Sequence, residues 1–471
     1  MIKVRNERDQ VNVAKVYRAG QEHIFRFWDA LTPEQRQALL EQVAAIDFQL
    51  LSQLCHKIDE KPPPRRLEPV RDVIRLPGPA EESARREAAR ERGEEAIARG
   101  KVCGLIVAGG QGTRLGWNRP KGCLPIGPVS DRTLFQLFAE QALAVARRYR
   151  TSFPLYIMTS QRNHAETVAF WEERGYFGMS PAEVFFFPQR ELPAVDRRGK
   201  ILMESPWRLA TSPDGHGGVI RALRESGALA DMQRRGIELI SYWQIDNPLV
   251  RIADPVFLGY MLERGDEAAA KVARKREPAE RVGVWAIVDG RPGVVEYTEL
   301  GEQEAIATDE NGELVYGLAN LAIHAFTRTF LERVAREASL PYHIARKKVP
   351  HIDRKGRPVE PERPNGIKFE CFIFDAFREA RGVTLLEVER DREFAPIKNA
   401  EGPDSPASAR QLMSDVYGAW LEACGAHVPR DERGHVTVPI EISPLVALGV
   451  EDLRARNKIQ PGMRITEAFR L

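Results

Sequence analysis

The sequence predicts an α/β protein with a central mixed, largely parallel sheet, a helical N-terminal region and a small C-terminal α+β region. Three observations support this fold class. Short apolar runs alternate with helical periodicity after residue 100, as in sheets whose strands are connected by helices. The first run, 101–108, ends in a glycine-rich turn, which is typical of a buried parallel strand. The residues before 100 carry helix caps and helical periodicity instead.

Composition and charge exclude several classes of protein. The chain has 471 residues, 43% of them apolar, and no short repeat, which excludes disordered, collagen-like and coiled-coil proteins. Its 69 basic and 67 acidic residues leave a net charge of +2, so the whole molecule has no strong attraction for nucleic acid or membranes. We expect neither as a partner, and any anion site must be built locally.

The cysteines and the N-terminus predict a cytoplasmic protein. Five cysteines lie far apart, and none forms a CxxC pair or a zinc-type spacing, as expected for free thiols in a reducing compartment. The charged residues 1–18 lack the apolar stretch of a signal peptide. No run approaches the roughly 20 apolar residues that span a bilayer. The sequence makes no prediction of oligomeric state.

The first region, 1–99, is predicted to be helical. Thr32 is placed as a helix cap, followed by Pro33 at the first helical position and by Gln35, which completes a capping box. The proline-rich stretch 61–65 is incompatible with helix and predicts a stiff connector. A charged helix over 81–99 is closed by Gly100.

The second region, 100–400, is predicted to be an α/β domain. Strands are expected at 101–108, 153–160, 183–187, 237–245 and 282–288, and a helix at 133–149. Ligands bind such sheets beyond the carboxyl ends of the strands, so the residues that follow each strand are candidates for chemistry. The third region, 401–471, returns to mixed helix and strand, with a strand expected at 436–442.

The loop after the first strand is the strongest candidate for binding an anion. Its glycines at 109, 110 and 112 allow close approach of the backbone to a phosphate, and Arg114 and Lys121 add two positive charges. The dinucleotide fingerprint fails because residue 115 is leucine, and the Walker motif fails because Lys121 precedes its glycine. A merely structural tight turn is the remaining alternative, although it would need neither cation.

This loop resembles the signature of the uridylyltransferases that make UDP-sugars. Later segments resemble the eukaryotic-type UDP-N-acetylhexosamine pyrophosphorylases, and the resemblance covers roughly residues 100–410 in order. The matching segments are 109–116 with 120–122, 158–160, 187–189, 212–218, 246–249, 254–255, 296–297, 365–370, 372–375 and 396–400. The resemblance implies a Rossmann-like nucleotidyltransferase domain whose substrates are UTP and a sugar 1-phosphate.

The resemblance also implies roles for individual residues. Arg114, Lys121 and Lys398 would contact the reacting phosphates, and Asp246, which follows an apolar strand, would bind Mg²⁺. The nucleotide would be held by Gly109, Gly110, Gly112, Gln189 and Gly215. The sugar would be held by His216, Glu296, Asn320, Phe372 and Phe374. Without the resemblance, Asp246 would be read as a turn residue and the two phenylalanines as alternating core side chains on a strand.

The predicted sugar pocket departs from the family pattern at two positions. His216 stands where asparagine is usual, and Ala319 replaces a glycine beside Asn320. A Gly-His pair occurs in relatives that make UDP-glucose or UDP-galactose, whereas the segment 365–375 favours an N-acetylated sugar. N-acetylglucosamine 1-phosphate is therefore the first prediction, glucose or galactose 1-phosphate the alternative, and a non-catalytic nucleotide-sugar sensor a third possibility.

Overall fold

The computed structural model describes residues 1–4, 6–60, 65–75, 80–337 and 340–471. The predicted connector at 61–65 therefore lies outside the described residues except for Arg65. In the described part of the chain, no helix is both long enough and apolar enough to cross a membrane.

The helices begin where the sequence places its caps. Thr32 and Gln35 form the predicted capping box, and Thr133 caps the helix predicted at 133–149. The helices are α1 (Glu7–Arg18), α2 (Pro33–Ala44), α3 (Phe48–His56), α4 (Ala80–Ala98), α5 (Leu134–Tyr149), α6 (His164–Glu173), α7 (Gly218–Glu225), α8 (Ala228–Arg234), α9 (Pro255–Arg264), α10 (Glu302–Ile306), α11 (Arg328–Glu337), α12 (Arg390–Glu393), α13 (Pro406–Ala423) and α14 (Val450–Arg456).

The strands include each strand predicted for the second region and many others. They are β1 (Leu67–Glu68), β2 (Ile74–Arg75), β3 (Val102–Val107), β4 (Leu155–Thr159), β5 (Val184–Pro188), β6 (Glu191–Pro193), β7 (Met203–Ser205), β8 (Arg208–Leu209), β9 (Thr211–Pro213), β10 (Leu239–Gln244), β11 (Ala268–Arg274), β12 (Val284–Val288), β13 (Arg291–Val295), β14 (Leu318–Thr327), β15 (His343–Lys347), β16 (His351–Ile352), β17 (Pro358–Val359), β18 (Gly366–Glu370), β19 (Val383–Glu387), β20 (Ile440–Glu441) and β21 (Phe469–Arg470).

The chain divides into two compact units, each built from separate stretches of sequence. Unit 1 contains residues 1–64, 189–218 and 340–373, and unit 2 contains 65–188, 219–339 and 374–471. The predicted boundaries at residues 99 and 400 lie where the helical and α/β patterns of the sequence change, whereas the two units are defined by compactness. The predicted division stays a prediction.

Unit 2 is built on the predicted mixed sheet. The strand order along its main path is β2-β19-β11-β14-β10-β3-β4-β5. The pairs β10–β3, β3–β4, β4–β5, β11–β19 and β19–β2 are parallel, whereas β14 is antiparallel to both β10 and β11. The strands β3, β4 and β10 are almost wholly buried, as expected for apolar strands covered on both faces.

Unit 1 packs three helices against short strands from distant parts of the sequence. Val16 of α1, Leu39 of α2 and Leu54 of α3 share one core with Val195 and Phe369. The side chain of Gln21 ties this unit together, because its amide donates to the carbonyl of Gly199 at 2.8 Å and its oxygen accepts from the N–H of Ile201 at 3.0 Å.

Two differences from the predicted elements have local causes. The late strand expected at 436–442 is reduced to β20, because Pro439 has no N–H to donate to a ladder. The strand β11 was not predicted, because its sequence AAAKVAR is rich in alanine, which is depleted in strands. Its position inside the sheet, and not its propensity, makes it a strand.

Candidate active site

The glycine-rich loop leaves β3 and closes on itself through backbone hydrogen bonds. The Lys121 N–H donates to the carbonyl of Gly110 at 3.2 Å, and the Gly112 N–H donates to that of Arg119 at 3.2 Å. The carbonyl of Ala108, where the strand ends, accepts from the Asn163 side chain at 3.0 Å. Short 3₁₀ turns at Thr113–Leu115 and Lys121–Cys123 complete the loop. The loop is therefore a defined structure at the carboxyl edge of the sheet.

The glycines of this loop serve different purposes. A Cβ on Gly112 would lie 2.6 Å from a Trp117 ring atom, and one on Gly122 would lie 2.2 Å from the Phe135 ring. A Cβ on Gly110 would meet nothing within 4 Å. Packing within the protein thus accounts for glycine at 112 and 122, whereas at 110 the space beside the exposed backbone is open to a ligand.

Lys121 and Asp246, the predicted phosphate and metal ligands, lie close together. The Lys121 Nζ is 3.5 Å from a carboxylate oxygen of Asp246 and 3.1 Å from the carbonyl of Ile397. The backbone N–H of Ile397 donates to the carbonyl of Asp246 at 2.9 Å. The Lys121 and Asp246 side chains are 17% and 16% exposed, so both are partly desolvated yet can be reached from solvent. Three segments that are distant in sequence therefore meet at one point.

Asn247 holds two of these segments side by side. Its amide nitrogen donates to the carbonyl of Glu393 at 2.8 Å, and its oxygen accepts from the N–H of Ala395 at 2.9 Å. Asn247 is 2% exposed, so these hydrogen bonds are shielded from water. The backbone beside Asp246 is thereby fixed to the stretch that leads to Lys398.

Arg114 and Lys398, the other two predicted phosphate ligands, are exposed. Lys398 lies directly after Ile397, and its ammonium is 5.8 Å from the centre of the Phe394 ring. At about 4 Å from a phosphate oxygen, each cation would contribute roughly 4 kcal/mol of Coulomb attraction at an effective dielectric constant near 20. Both side chains are free to move toward a triphosphate, at some cost in side-chain entropy.

A buried ion cluster is centred on Lys271. Lys271 is fully buried, and its ammonium contacts carboxylate oxygens of Asp254 at 2.7 Å and of Glu393 at 2.8 Å. Burial opposes ionisation of Asp254, but the positive charges of Lys271 and Arg251 outweigh it and hold the pKa of that carboxyl well below its usual value. The cluster joins β11, the cap of α9 and α12, and the Glu393 carbonyl of α12 accepts from Asn247, the residue that follows Asp246.

Gln189 and Gly215, the predicted uracil ligands, lie together in unit 1. The Gln189 amide donates to the carbonyl of Gly215 and to the Asp214 carboxylate, both at 3.3 Å. Gly215 has a φ of +86°, and a Cβ there would lie 2.3 Å from the carbonyl oxygen of Cys371. The loop therefore requires glycine at this position, and it orients the amide of Gln189.

His216 packs against Phe372 in the same unit. Their ring centres are 5.2 Å apart, and the His216 Nδ1 accepts from the backbone N–H of Ile373 at 3.1 Å. Because a backbone N–H only donates, Nδ1 is unprotonated and the neutral ring carries its proton on Nε2. Phe372 lies beyond the end of β18 and Phe374 lies in a 3₁₀ segment, so the two are not alternating side chains on a strand, although Phe374 is buried in the core.

Asn320, in unit 2, lies at an irregularity of the sheet. The register between β11 and β14 shifts between Ala270 and Val272, and Ala322 has a φ of +55°. The Asn320 side-chain oxygen accepts from the Ala322 N–H at 3.3 Å and lies 3.0 Å from the His324 Nε2. Such bulges redirect side chains. The oxygen is engaged within the protein, which leaves the amide nitrogen of Asn320 as the group that can donate to a ligand.

The remaining predicted sugar ligands are also in unit 2. Glu296 follows β13 and is half-buried, whereas Phe374 is 5% exposed and lies in the 3₁₀ turn after Ile373. The structure thus groups Lys121, Asp246 and the 397–398 segment in unit 2, and Gln189, Gly215, His216 and Phe372 in unit 1.

Sequence reasoning missed the residues that hold the site in shape. Asn163 and Asn247 contact the backbone of the site, and Lys271 joins Asp254 and Glu393 beside it, but none of the three carries an independent signature. Asn247 does stand inside a segment that supported the family resemblance, and its position directly after Asp246 is the one signal that could have identified it.

The chain is similar to known proteins in both sequence and fold. A sequence model of the UTP–glucose-1-phosphate uridylyltransferase family matches residues 61–450. The human UDP-N-acetylhexosamine pyrophosphorylase-like protein 1 is 42% identical, with 93% of each chain covered. The UDP-N-acetylglucosamine diphosphorylase 2 of Arabidopsis thaliana is 39% identical, covering 95% of this chain and 91% of its own. The crystal structure of the uridine diphosphate N-acetylglucosamine pyrophosphorylase from Trypanosoma brucei is 30% identical, with a TM-score of 0.83 and 99% of each chain covered.

Proposed function

Because this chain belongs to the UTP–glucose-1-phosphate uridylyltransferase family and is a nucleotidyltransferase, we propose that it makes UDP-N-acetylglucosamine and pyrophosphate from UTP and N-acetylglucosamine 1-phosphate. The names of relatives that match over nearly the whole chain support this choice of sugar. We also propose a cytoplasmic location, which the five free cysteines support.

One observation carries the chemistry, namely the meeting of Lys121, Asp246 and the backbone of Ile397 at the edge of the sheet. A phosphate oxygen of the sugar 1-phosphate attacks the α-phosphorus of UTP, and the bond to pyrophosphate breaks as the new bond forms. Such a reaction needs positioning and charge stabilisation, and no covalent enzyme intermediate. We assign Lys121, Arg114 and Lys398 to neutralise the phosphates, and Gly109, Gly110 and Gly112 to bring the backbone close to them.

The residues at Asp246 fit a magnesium ion. Its carboxylate is a hard oxygen ligand that is partly exposed, and Mg²⁺ in such sites takes its other ligands from phosphates and water. The described residues contain no cluster of three or more His, Cys, Asp or Glu that could hold a metal. Bound there, the ion would neutralise developing charge on the phosphates.

The ligands assigned to uracil and sugar follow from hydrogen-bonding capacity. Gln189 presents an amide, which can pair with the edge of uracil, beside Gly215. His216, through its Nε2–H, and Asn320, through its amide, would donate to sugar oxygens. We assign Glu296 to accept from sugar hydroxyls, and Phe372 and Phe374 to pack against the apolar face of the sugar and its acetyl group.

The assignment of Asp246 and Lys121 is tested by replacing each in turn. We expect Asp246→Ala to abolish release of pyrophosphate from UTP while leaving Tm unchanged, because the metal loses its protein ligand. We expect Lys121→Ala to lower kcat/KM by about 10²–10³, the usual effect of removing one group that stabilises transition-state charge. Wild-type kinetics in either variant would remove that residue from the site.

The sugar is tested by a parallel assay. Pyrophosphate release is measured with UTP and N-acetylglucosamine, glucose or galactose 1-phosphate at equal concentrations. We expect the acetylated sugar to give the highest kcat/KM. A glucose 1-phosphate preference above about tenfold, which is roughly 1.4 kcal/mol in the barrier, would make the chain a glucose-1-phosphate uridylyltransferase. Absence of turnover with all three would favour the nucleotide-sugar sensor.

A further inference from the structure

Unit 2 contains a cavity of about 540 Å³ whose walls come from α4, α5, the loop after Pro248, α12, α13 and the C-terminal residues. Its volume lies within the range of roughly 300–1,000 Å³ that small-molecule sites occupy. None of the residues assigned above to phosphate, metal, uracil or sugar is among the described residues that line it. The cavity is thus separate from the proposed active site.

One wall of the cavity presents two arginine side chains from α4. Arg86 and Arg90 lie one helical turn apart on α4, and the Nε atoms of both are buried without a hydrogen-bond partner in the described part of the chain. The Arg90 Nε is 3.3 Å from a Glu87 carboxylate oxygen, an ion pair that lacks hydrogen-bond geometry. The terminal nitrogens of both guanidinium groups can donate to an anion in the cavity, and Arg86 has no ion pair among the described residues.

Four of the acidic side chains that line the cavity are already matched by cations. Asp254 and Glu393 share Lys271, and Glu389 contacts Arg392 at 2.7 Å. Glu94 is 3.4 Å from Arg148 and accepts from the Tyr149 hydroxyl at 3.1 Å. The α4 wall therefore attracts anions although the lining contains acids as well as arginines.

The rest of the cavity is largely apolar. Val250, Val416, Trp420 and Ile442 contribute to its lining. A ligand that fills the space must therefore combine an anionic end, placed at Arg86 and Arg90, with an apolar body. Phosphate monoesters of aromatic or apolar groups have this chemistry, and the planar guanidinium groups suit two oxygens of one phosphate.

Two walls of the cavity continue directly into the proposed active site. The residues 248–256 follow Asp246 in sequence, and Glu393 precedes the segment that ends in Lys398. The Asn247 side chain connects these two stretches through the Glu393 carbonyl. A ligand that presses on either wall would therefore shift Asp246 and Lys398 relative to the phosphates.

We propose that this cavity is a regulatory site for a small phosphate monoester with an apolar or aromatic body, held by Arg86 and Arg90. The binding itself is independent of the enzyme's reaction. Its regulatory effect rests on the proposed function, because it acts through the residues assigned to metal and phosphate.

Binding is tested by calorimetric titration of the full chain with phenyl phosphate. We expect saturable binding of one molecule, a loss of at least tenfold in affinity for the double variant Arg86→Gln/Arg90→Gln, and only partial recovery in Arg86→Lys/Arg90→Lys, which restores the charge but not the planar pair of donors. The matched control is Arg85→Gln/Arg92→Gln, which removes the same charge from α4 at two residues that pair with Glu263 and do not line the cavity. Tm of each variant confirms folding.

Several outcomes would overturn the proposal. One is the absence of saturable binding of phenyl phosphate, and another is an equal loss of affinity in the control variant. A third is a loss of affinity in Lys121→Ala, which would place the ligand in the nucleotide site. Inorganic phosphate that binds as tightly as phenyl phosphate would contradict the need for an apolar body.

The regulatory effect has its own measurement. We expect phenyl phosphate to change kcat or the KM for UTP in the wild-type chain and not in Arg86→Gln/Arg90→Gln, whose turnover without phenyl phosphate stays unchanged. Binding without any effect on kinetics would overturn regulation. Binding with no turnover of any sugar 1-phosphate would overturn the proposed function and leave the site standing.

Discussion

At the scale of single residues, the sequence predicts which glycines and cations form the glycine-rich loop after β3, but it does not predict why each glycine is needed. The glycines at 109, 110 and 112 stood out in the sequence as a group, but their roles differ. Contact with Trp117 requires glycine at 112, whereas Gly110 borders open space. Nearby, contact with Phe135 requires glycine at 122. A substitution can therefore separate packing from ligand binding within one loop.

Gly110→Ala and Gly122→Ala make this separation measurable. We expect Gly110→Ala to keep the wild-type Tm but to raise the KM for UTP at least tenfold, because its methyl group occupies space that a phosphate would approach. We expect Gly122→Ala to lower stability by about 1–3 kcal/mol, because the Phe135 ring must move. Thermal denaturation and initial rates check both. A Gly110→Ala variant with unchanged KM would contradict the loop's role in nucleotide binding.

At the scale of secondary structure elements, α4 and α9 pack unusually closely. A Cβ on Gly259 of α9 would lie 1.6 Å from the carbonyl oxygen of Ala89, and one on Gly93 of α4 would lie 1.9 Å from that of Pro255. Each helix thus offers a glycine where it crosses the other. This contact supports the N-terminus of α9, where Asp254 caps the helix and accepts from the Val256 N–H at 3.1 Å.

Gly259→Ala tests the importance of this crossing. We expect it to destabilise unit 2 by about 1–3 kcal/mol, because backbone atoms cannot move aside as a flexible side chain would. Leu262→Ala on the same helix is the control, since that side chain is 40% exposed. Tm values measure both changes. Equal Tm shifts in Gly259→Ala and Leu262→Ala would show that the close approach of α4 and α9 does not contribute to stability.

At the scale of the whole molecule, the fold buries charge near its proposed active site. Lys271 holds the carboxylates of Asp254 and Glu393 on elements that are more than a hundred residues apart in sequence. Replacing a complete buried ion cluster by apolar groups is often harmless, but removing one partner is not. The cluster connects α9, β11 and α12, and so it maintains the backbone on which Asp246 and Lys398 depend.

We expect Lys271→Met to lower stability at pH 7 by about 3–5 kcal/mol, because two buried carboxylates lose their cation. The pKa of Asp254 is lowered in the folded protein, so its contribution is fully present above the unfolded pKa of about 3.9 and is lost progressively as pH falls from there through the folded pKa. The difference in Tm between wild type and variant should therefore narrow as pH falls below about 4. A Tm difference between wild type and Lys271→Met that does not change with pH would contradict an ionised Asp254 in the buried cluster.

The sequence by itself determined the features that depend on neighbouring residues. The capping box at Thr32, the helical pattern over 133–149 and apolar runs such as 101–108 identified helices and strands, because capping and periodicity are local. The glycine loop was identified for the same reason, since its glycines and both its cations lie within 13 residues, from 109 to 121.

Only the tertiary structure decided which distant residues meet. Lys121, Asp246 and Ile397 lie in three separate segments, and sequence periodicity carries no information about the order of strands that brings them to one edge. Unit 1 combines three separate stretches of the chain, and β11 is a strand because of its neighbours despite its alanines. Long-range packing, which no local pattern encodes, therefore determined the shape of the site and the buried cluster that supports it.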